Sequence, residues 1–554
     1  MKQLKSNLKL VASLGLLLIL FILIIAPLFS IFIQTIVVDG QVTLDQVITT
    51  LAERKNLQMI INSLLLGFFT VIMTSLIALP LAYLFTKTSM AKYQFFDTIF
   101  MMPFMTPPFI ASMGWILFMQ RRGLLQRFIP ALDQSDEFFF TITGLVIVMS
   151  FHNFPFMYTM MKNAILNIPA SLEEGAAVFG ANFWRRIRKV FIPLITGNYA
   201  IAALLVFVKV ISEYGTPATL GKRIGFNVFT TEIHRYATVA PISFGKSASL
   251  ASILVTICLG LWMIQTYVTN QRTYNLISGK GSRSKLIQLK PWQQVLAWGY
   301  ILAIITGATI IPMFSVFATS IIKLRGYGFR FDNLTFKHYY QMFTANDKTV
   351  AAILNSFLLA FVAATVCALL GTLIVLTIRN LKGKLAKGME AISLLPEMVP
   401  GIVLILGIML FWNDIYHLIP IYNTMYLLAL AYIILFLPFT VQYVTSSFTQ
   451  INPSLMSAGQ VFGASPSYIF RRITLPLIKP GIITGWMMTF IISFRELVTA
   501  SLISPPNKYV ISTFIVREFG QGSVSTGMAM AVICVLLTTT TLLILNHVTR
   551  KKIV

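Results

Sequence analysis

Ionisable side chains inside apolar stretches are the residues of this sequence best placed to do chemistry. They are Lys209, Glu213, Glu397, Arg495 and Glu496. A charge in the middle of a bilayer costs about 2.5–3.5 kcal/mol on insertion scales, and such charges usually face a water-filled or protein-lined interior. We therefore treat Glu213, Glu397 and the pair Arg495 and Glu496 as candidates for lining a hydrophilic pathway.

Two interpretations of these charges fit the sequence. Glu213 lies near the outer end of one predicted span, and Arg495 with Glu496 holds the comparable place in another, which favours a shared pathway. Alternatively, Lys209 and Glu213, four residues apart on a helix, neutralise each other, and Arg495 is neutralised by a neighbour. Glu397 lies in the segment LPEMVPG, where it is a candidate contact for a cationic substrate or a gate.

Other reactive residue types give no sign of a cofactor. The three cysteines lie inside separate apolar runs and the five histidines are scattered, so neither set predicts a metal centre or a disulfide. Residues 215–222, GTPATLGK, resemble a phosphate-binding loop, but five residues separate the glycines instead of four and Arg223 replaces Ser or Thr. We expect no catalytic residues, no metal and no bound cofactor, because an enzyme would need clustered acids or histidines.

Membrane helices must position these residues. The chain is 56% hydrophobic and 11% charged, with a mean hydropathy of +0.79, which is too apolar for a soluble protein of 554 residues. Stretches of about 20 apolar residues, enough to cross about 30 Å of hydrocarbon, predict about twelve spans. The predicted spans are 11–33, 60–86, 98–119, 141–161, 195–213, 247–268, 295–320, 351–378, 391–412, 424–446, 480–503 and 525–547.

The net charge of +25 follows the predicted topology. If the N-terminus is cytoplasmic, the inner segments sum to +21, the outer segments to +5 and the five ionisable residues inside the spans to −1. This excess of inner positive charge predicts a multi-pass membrane protein with both termini in the cytoplasm. Nucleic acid is excluded as a partner, because the basic residues are divided among short segments without interleaved aromatic platforms. We expect the chain to contact membrane lipid along its spans.

The sequence contains an internal repeat. Asn62-Ser63 recurs 293 residues later as Asn355-Ser356, and residues 178–181, VFGA, recur 283 residues later at 461–464. Other pairs at the 293-residue shift are Pro103 and Pro396, Pro107 and Pro400, and Gly114 and Gly407. The prolines predict kinks in the third and ninth spans, because each removes a backbone hydrogen bond. Each repeat holds six predicted spans, and an even number gives both repeats the same orientation. The predicted fold class is an all-α integral membrane protein with about twelve transmembrane helices in two parallel six-helix repeats.

The repeats define the predicted domains. The first repeat is 1–268 and the second is 293–554. Residues 269–292 between them are polar, basic and glycine-bearing, and they predict a cytoplasmic linker.

The strongest repeated motif is a cytoplasmic loop, 168–194 in the first repeat and 451–477 in the second. Each copy reads as two short helices joined at a glycine that is suited to a left-handed C-terminal cap, Gly180 or Gly463. A proline follows each glycine after 13 residues. A ridge of this kind can dock in a groove of another protein. The alternative, an amphipathic loop that binds anionic headgroups through arginines, is weakened because the loop occurs twice at the same place.

These loops resemble the EAA loop of ABC-importer permeases, whose pattern is Glu-Ala-Ala, three residues, Gly, nine residues, then Ile-x-Leu-Pro. Glu174 and Gly180 fall on the glutamate and glycine in the first copy, and Ser457 and Gly463 fall on the same places in the second. The resemblance covers nearly the whole chain, since the span order also fits. Its motif departs from the family at Ser457, where the acid is missing, so the two loops are expected to make unequal contacts.

The resemblance implies a non-enzymatic subunit in a bacterial inner membrane. Its expected partners are a separate ATP-binding cassette ATPase dimer, which binds the ATP, and an extracytoplasmic substrate-binding protein. The residues assigned to ATPase coupling are Glu174, Gly180, Arg185, Arg188, Ser457, Gly463, Arg471 and Arg472. Two fused six-span halves most resemble permeases for ferric iron, with aminoethylphosphonate and thiamine permeases as alternatives.

A secondary transporter of the major-facilitator type is the competing interpretation from another class. That family also has twelve spans in two parallel halves. Its basic signature belongs in the loop between the second and third spans, and this chain has KTSMAKYQFFD there, without that signature.

Overall fold

The computed structural model describes residues 2–38, 40–132, 134–271, 286–344, 347–381 and 383–550. Residues 272–285, the greater part of the predicted linker, lie outside the described residues. Helices make up almost all regular structure in the described ranges. A two-residue hairpin, β1 (Val37–Val38) with β2 (Gln41–Val42), is antiparallel.

The helices are given in chain order. They are α1 (Lys2–Leu20), α2 (Ala26–Ile36), α3 (Asp45–Ala52), α4 (Arg54–Lys87), α5 (Phe95–Met105), α6 (Pro108–Met119), α7 (Leu124–Phe128), α8 (Ser135–Phe139), α9 (Ile142–Leu166), α10 (Ala170–Val178), α11 (Phe183–Arg186), α12 (Ile192–Ser212), α13 (Phe229–Thr238), α14 (Phe244–Gln271), α15 (Pro291–Ile305), α16 (Ile311–Ser320), α17 (Lys337–Thr344), α18 (Asp347–Asn380), α19 (Lys384–Met398), α20 (Gly401–Asp414), α21 (Met425–Thr449), α22 (Pro453–Val461), α23 (Pro466–Ile469), α24 (Leu475–Phe494), α25 (Val498–Ile503), α26 (Ile511–Gln521) and α27 (Val524–Arg550).

Short helical segments of other types connect some of these helices. The π-helical segments are Phe21–Ile25, Ile187–Phe191, Pro217–Gly221, Thr306–Ile310 and Phe470–Thr474, and the 3₁₀ segments are Ser89–Lys92, Pro130–Leu132, Arg325–Tyr327 and Phe331–Asn333.

Length and composition confirm the predicted multi-span fold class. Within the described ranges, nine helices are long and apolar enough to cross a membrane, or up to eleven if two bent helix pairs each count as one span. The remaining predicted span, 141–161, corresponds to α9, a helix of 25 residues that includes the polar pair His152 and Asn153.

The proline-rich segments break the third and ninth predicted spans. α5 and α6 meet at 89°, and α19 and α20 meet at 109°. Pro107 and Pro400 lie at these breaks, and a proline supplies no backbone N–H to continue a helix. The sequence predicts a kink at these places, and the structure has sharp turns between separate helices.

The described chain packs into two compact units. One contains Met1–Thr50, Ile233–Val255 and Thr335–Val554, and the other contains Leu51–Glu232 and Thr256–Leu334. The first span of each repeat therefore lies in the unit that holds the third span of the other repeat. Within the former unit α2 packs on α20, and within the latter α16 packs on α6.

Two glycines of the repeat make this packing possible. A Cβ atom on Gly114 would lie 2.4 Å from the carbonyl oxygen of Pro312, and one on Gly407 would lie 2.4 Å from that of Pro27. Because both obstacles are backbone atoms, a side chain at either position would push the helices apart. The repeated glycine is thus explained by close helix contact within each unit.

The repeated Asn-Ser pair fastens the second span of each repeat to a later segment. Ser63 Oγ accepts a hydrogen bond of 2.8 Å from the N–H of Phe229, and Ser356 Oγ accepts one of 2.8 Å from the N–H of Ile511. Phe229 and Ile511 begin α13 and α26, so each serine satisfies an N–H group that the helix itself leaves unpaired.

Candidate functional site

The repeated loops have the same backbone geometry. Gly180 and Gly463 both have φ of +75°, the left-handed region that favours glycine. The Ala181 N–H donates to the Ala176 oxygen at 3.0 Å, and the Ala464 N–H donates to the Gly459 oxygen at 2.9 Å. These bonds form the Schellman turn that ends a helix. The structure therefore has the glycine cap that the sequence predicts in both loops.

Each turn exposes a large apolar pair. The exposed fractions are 84% for Val178 and 92% for Phe179 in the first loop, and 84% for Val461 and 89% for Phe462 in the second. Side chains of this kind are normally buried, and an exposed apolar patch marks a contact surface. Sequence reasoning identified the glycines and arginines but missed the apolar pairs as contacts. The signal was present, because the letters VF precede the glycine in both copies.

The other coupling candidates surround these turns. Arg185, Arg188, Arg471 and Arg472 are all exposed. The Arg185 N–H donates to Asn182 Oδ1 at 2.9 Å, which starts the second short helix. Ser457 is exposed on α22. Glu174 belongs to α10, but its side chain lies outside what the structure describes, so the predicted difference between Glu174 and Ser457 remains a prediction.

A single helix links each loop to a candidate in the membrane. Trp184–Ser212 and Pro466–Phe494 are each continuous over 29 residues, or about 43 Å at 1.5 Å per residue. Glu213 directly follows the first of these helices. Arg495 and Glu496 follow the second. The predicted eleventh span extends to 503, but the helix ends at Phe494 and α25 begins anew at Val498.

The two glutamates make equivalent hydrogen bonds. Both carboxylate oxygens of Glu213 accept from the Thr216 N–H at 3.1 Å, and Glu496 Oε1 accepts from the Thr499 N–H at 3.1 Å. The Glu213 carbonyl accepts from the Thr230 hydroxyl at 2.7 Å, and the Glu496 carbonyl accepts from Ser512. Each glutamate thus caps the chain segment after a helix break, a structural task that sequence reasoning did not anticipate. Lining of a pathway remains a prediction.

Arg495 differs from the residue at the same place in the first repeat, Ser212. Its Nη1 atom is buried and has no hydrogen-bond partner within the described part of the chain.

The two breaks differ in chemistry. At the first, the Phe104 ring stacks on His152 with centroids 6.0 Å apart, and Lys209 Nζ lies 5.8 Å from the Phe104 ring and 5.1 Å from the Phe156 ring. At the second, Glu397 takes the place of Phe104, is exposed, and accepts a hydrogen bond from Gln442 Nε2.

His152 supports the first break directly. Its Nδ1 atom lies 3.1 Å from the Pro103 oxygen. Pro107, four residues later, has no N–H with which to satisfy that carbonyl. Since a carbonyl only accepts, Nδ1 carries the hydrogen in this contact.

An ionic cluster ties α9, the helix that leads into the first loop, to α5. Lys162 Nζ lies 2.6 Å and 2.5 Å from the two carboxylate oxygens of Asp97, and the Tyr158 hydroxyl donates to the same carboxylate at 2.5 Å. Lys162 lies on α9, eight residues before α10 begins. In the second repeat the three places hold Glu390, Val441 and Thr445, which cannot form the same cluster.

No metal centre occurs within the described ranges. No group of three or more His, Cys, Asp or Glu residues there could hold a metal ion. The three cysteines are free and buried.

Known proteins resemble this chain over most of its length. It is 23% identical over 528 residues to a ferric transport system permease protein of Actinobacillus pleuropneumoniae, covering 94% of this chain and 75% of that one. It is 25% identical over 514 residues to a putative ferric transport system permease protein of Haemophilus influenzae, covering 91% and 79%. A putative 2-aminoethylphosphonate transport system permease protein of Salmonella paratyphi A is 24% identical over 200 residues, 36% of this chain and 75% of that one.

A family model decides between the competing transporter classes. The model described as binding-protein-dependent transport system inner membrane component matches residues 77–274 and 367–554, one match in each repeat. The two matches together cover more than half of the chain, and they exclude the major-facilitator interpretation. The chain belongs to the binding-protein-dependent transport system inner membrane component family and is a non-catalytic, multi-pass permease subunit of an ABC importer.

Proposed function

We propose that the chain forms the transmembrane pathway of a ferric-iron importer and that its two loops dock on the two subunits of a separate ATPase dimer. The paired apolar turns carry this proposal. Burial of one phenylalanine ring contributes about 2 kcal/mol, and Phe179 and Phe462 are exposed at the tips of two loops of matching geometry. Two exposed phenylalanines of this kind can dock in two grooves on a partner that is itself a dimer.

The long helices behind the loops supply a means of transmission. Because Trp184–Ser212 and Pro466–Phe494 run without interruption from loop to glutamate cap, displacement of a loop tip displaces the opposite end of the same helix. The break after each helix lets the following segment turn independently. ATP binds and is hydrolysed on the partner, whereas this chain supplies the two long helices that transmit the movement and the transmembrane pathway.

The relatives support ferric iron as the substrate. Both ferric permeases align with more than nine tenths of this chain, whereas the aminoethylphosphonate permease aligns with little more than a third. Iron is cargo here and needs no resident site in this chain. Thiamine remains an alternative from the sequence resemblance alone.

The proposed orientation places both termini and both loops in the cytoplasm. It is supported by the inner excess of lysine and arginine.

Loop docking is tested by removing apolar surface. The double variant F179S/F462S should lose the ATPase subunit on purification, because both exposed phenylalanine rings are removed while the glycine turns stay unchanged. Leu418→Ser is the matched control, since Leu418 is also largely exposed but follows α20, at the end of its unit opposite to the second loop. Retention of the ATPase by the double variant would refute the docking role.

The substrate is tested in a reconstituted complex. ATPase activity should be stimulated by an extracytoplasmic binding protein loaded with ferric iron, and not by binding proteins loaded with aminoethylphosphonate or thiamine. If only the binding protein loaded with aminoethylphosphonate or only the one loaded with thiamine stimulated the ATPase, that molecule and not ferric iron would be the substrate.

A further inference from the structure

One end of the unit that contains Leu51–Glu232 and Thr256–Leu334 carries an outer basic surface, which we define as segments 120–130, 222–228 and 321–334. These three segments sum to +7. Their counterparts are 413–423, 504–510 and 36–49, at shifts of 293, 282 and 285 residues, the last being the distance between Pro27 and Pro312, and they sum to −2. The difference is large for segments that hold corresponding places in the two compact units.

The outer basic surface lies at the end of its unit opposite to the first docking loop. α9 runs from the neighbourhood of segment 120–130 to α10, and α12 runs from that loop back toward segment 222–228. With the loop on the ATPase side, these segments face the side from which a binding protein delivers its substrate.

Hydrogen bonds join two of the three segments, 120–130 and 321–334. Arg325 Nη2 donates to Gln120 Oε1 at 2.8 Å, and Arg127 Nη1 donates to the Tyr327 oxygen at 3.0 Å. A Cβ atom on Gly328 would lie 1.0 Å from Arg127 Nη1, so the guanidinium lies directly against the backbone at that glycine. These two segments are therefore interlocked, and their charges are held in a fixed arrangement.

The segment 321–334 is also braced from within. Asn333 is buried, and its Nδ2 donates to the oxygens of Leu324 at 2.8 Å and Gly328 at 2.7 Å. The rings of Phe128 and Phe329, from two of the segments, also pack with Phe314, with centroids 6.0 to 6.5 Å apart. This bracing fixes the arginines before any partner arrives, which reduces the entropy lost on binding.

Like charges are held close together on this surface. Partial burial lowers the pKa of the Arg223 guanidinium, and the positive charge of Arg325 lowers that pKa further. Partial burial also lowers the pKa of Arg325. Both groups remain exposed to solvent and charged. The repulsion between them is relieved when carboxylates approach, so an acidic partner is favoured.

Exposed aromatic rings accompany the arginines. The exposed fractions are 94% for Phe331 and 64% for Tyr327. Arginine, tyrosine and phenylalanine are enriched in protein interfaces, and arginine and tyrosine are common hot spots. This composition favours a protein partner over a small anion, which needs no exposed rings.

We propose that the outer basic surface docks an acidic face of the extracytoplasmic binding protein, and that this charged contact is made by one of the two compact units alone. The proposal rests on the proposed function, because it requires a binding protein on this side of the membrane. Under this proposal, the arginines hold one lobe of the binding protein electrostatically. This contact fixes the orientation of the substrate cleft of the binding protein above the pathway.

The test uses the complete complex in nanodiscs and the ferric-iron-loaded binding protein of the same organism. R223E/R325E should weaken binding about 30-fold or more, because charge reversal turns attraction into repulsion. The wild-type affinity should fall steeply with added sodium chloride, and that of R223E/R325E should not. Lys508→Glu, in the counterpart segment 504–510, is the matched control and should change affinity less than about two-fold. Copurification of the ATPase subunit confirms folding of each variant.

The outcomes separate the two proposals. Wild-type affinity in R223E/R325E would overturn the docking surface and leave the proposed function intact. A loss confined to nanodiscs that contain anionic lipid would also overturn it, because the surface would then be a headgroup site. Absence of any stimulated ATPase activity in the wild-type complex would overturn the proposed function itself.

Discussion

The two repeats are alike in the hydrogen bonds that satisfy backbone groups and unlike in the ionic contacts between side chains. Ser63 and Ser356 make the same bond at the same distance, and Glu213 and Glu496 cap the chain in the same way. At the other end of α9, however, the Asp97–Lys162 cluster has no counterpart in α19 and α21. The comparison teaches that hydrogen bonds to backbone groups are shared by the repeats, whereas ionic contacts between side chains differ.

A physical reason accounts for this pattern. A backbone N–H or carbonyl left unpaired in the membrane costs several kcal/mol, whatever the substrate. A surface-accessible ion pair contributes far less, so its loss is tolerated and its presence can be specialised. The first repeat is therefore expected to be more rigid near its loop than the second.

The largest expected effect comes from adding a side chain at the two repeated glycines, which tests whether the repeats share one scaffold. Gly114→Ala and Gly407→Ala should each lower the free energy of unfolding by about 2 to 3 kcal/mol, because the added Cβ meets a carbonyl oxygen. The measurement is detergent-titrated unfolding of the purified chain. Gly299→Ala, which has nothing within 4 Å, should leave stability unchanged or higher. Unequal losses at the two positions would break the equivalence of the scaffolds.

The serine anchors give a smaller, equally matched effect. Ser63→Ala and Ser356→Ala each leave a buried N–H without its acceptor, at a cost of about 2 kcal/mol. The same unfolding measurement applies. A loss at Ser63 without one at Ser356 would show that the repeats differ even where their geometry coincides.

The ionic cluster predicts a difference between the repeats. Lys162→Met should reduce the substrate transported per ATP hydrolysed by about three-fold, since it removes a partly exposed ion pair and loosens α9 from α5 just before the first loop. Thr445→Met, at the matching place in the second repeat, should leave this ratio unchanged. Equal effects in both variants would exclude a special role for the cluster.

The smallest expected effect concerns the acid that only the first loop keeps. Exchange of the two residues, E174S with S457E, should change transport by less than about two-fold, because a single polar contact at a loop surface contributes little even where the two loops differ in it. Initial transport rates measure it. A larger change would show that the ATPase distinguishes the loops through this position.

The sequence predicted those features that depend on local chemistry. Glycine before a proline-bearing helix predicted the left-handed turns at Gly180 and Gly463, and apolar length predicted the spans. It also predicted the breaks at Pro107 and Pro400 as bends, though not their sharpness.

Features that depend on packing could not be predicted in this way. No local signal shows that the first span of each repeat packs with the third span of the other repeat, because the contact of Gly114 with Pro312 joins residues far apart in the chain. The capping by Glu213 and Glu496 was hidden for a related reason. A carboxylate in an apolar run can line a pathway or accept hydrogen bonds from unpaired backbone N–H groups. The sequence does not distinguish these two roles, because it does not show which groups the carboxylate contacts.

The docking of both loops on the ATPase is the central claim, and accessibility of their tips tests it most directly. V178C and V461C introduce exposed thiols, whereas the three native cysteines are buried. We predict that both thiols react rapidly with a maleimide in the isolated chain and become protected when the ATPase subunit is added, while L418C reacts equally in both states. Undiminished labelling of V178C and V461C in the assembled complex would contradict docking through these loops.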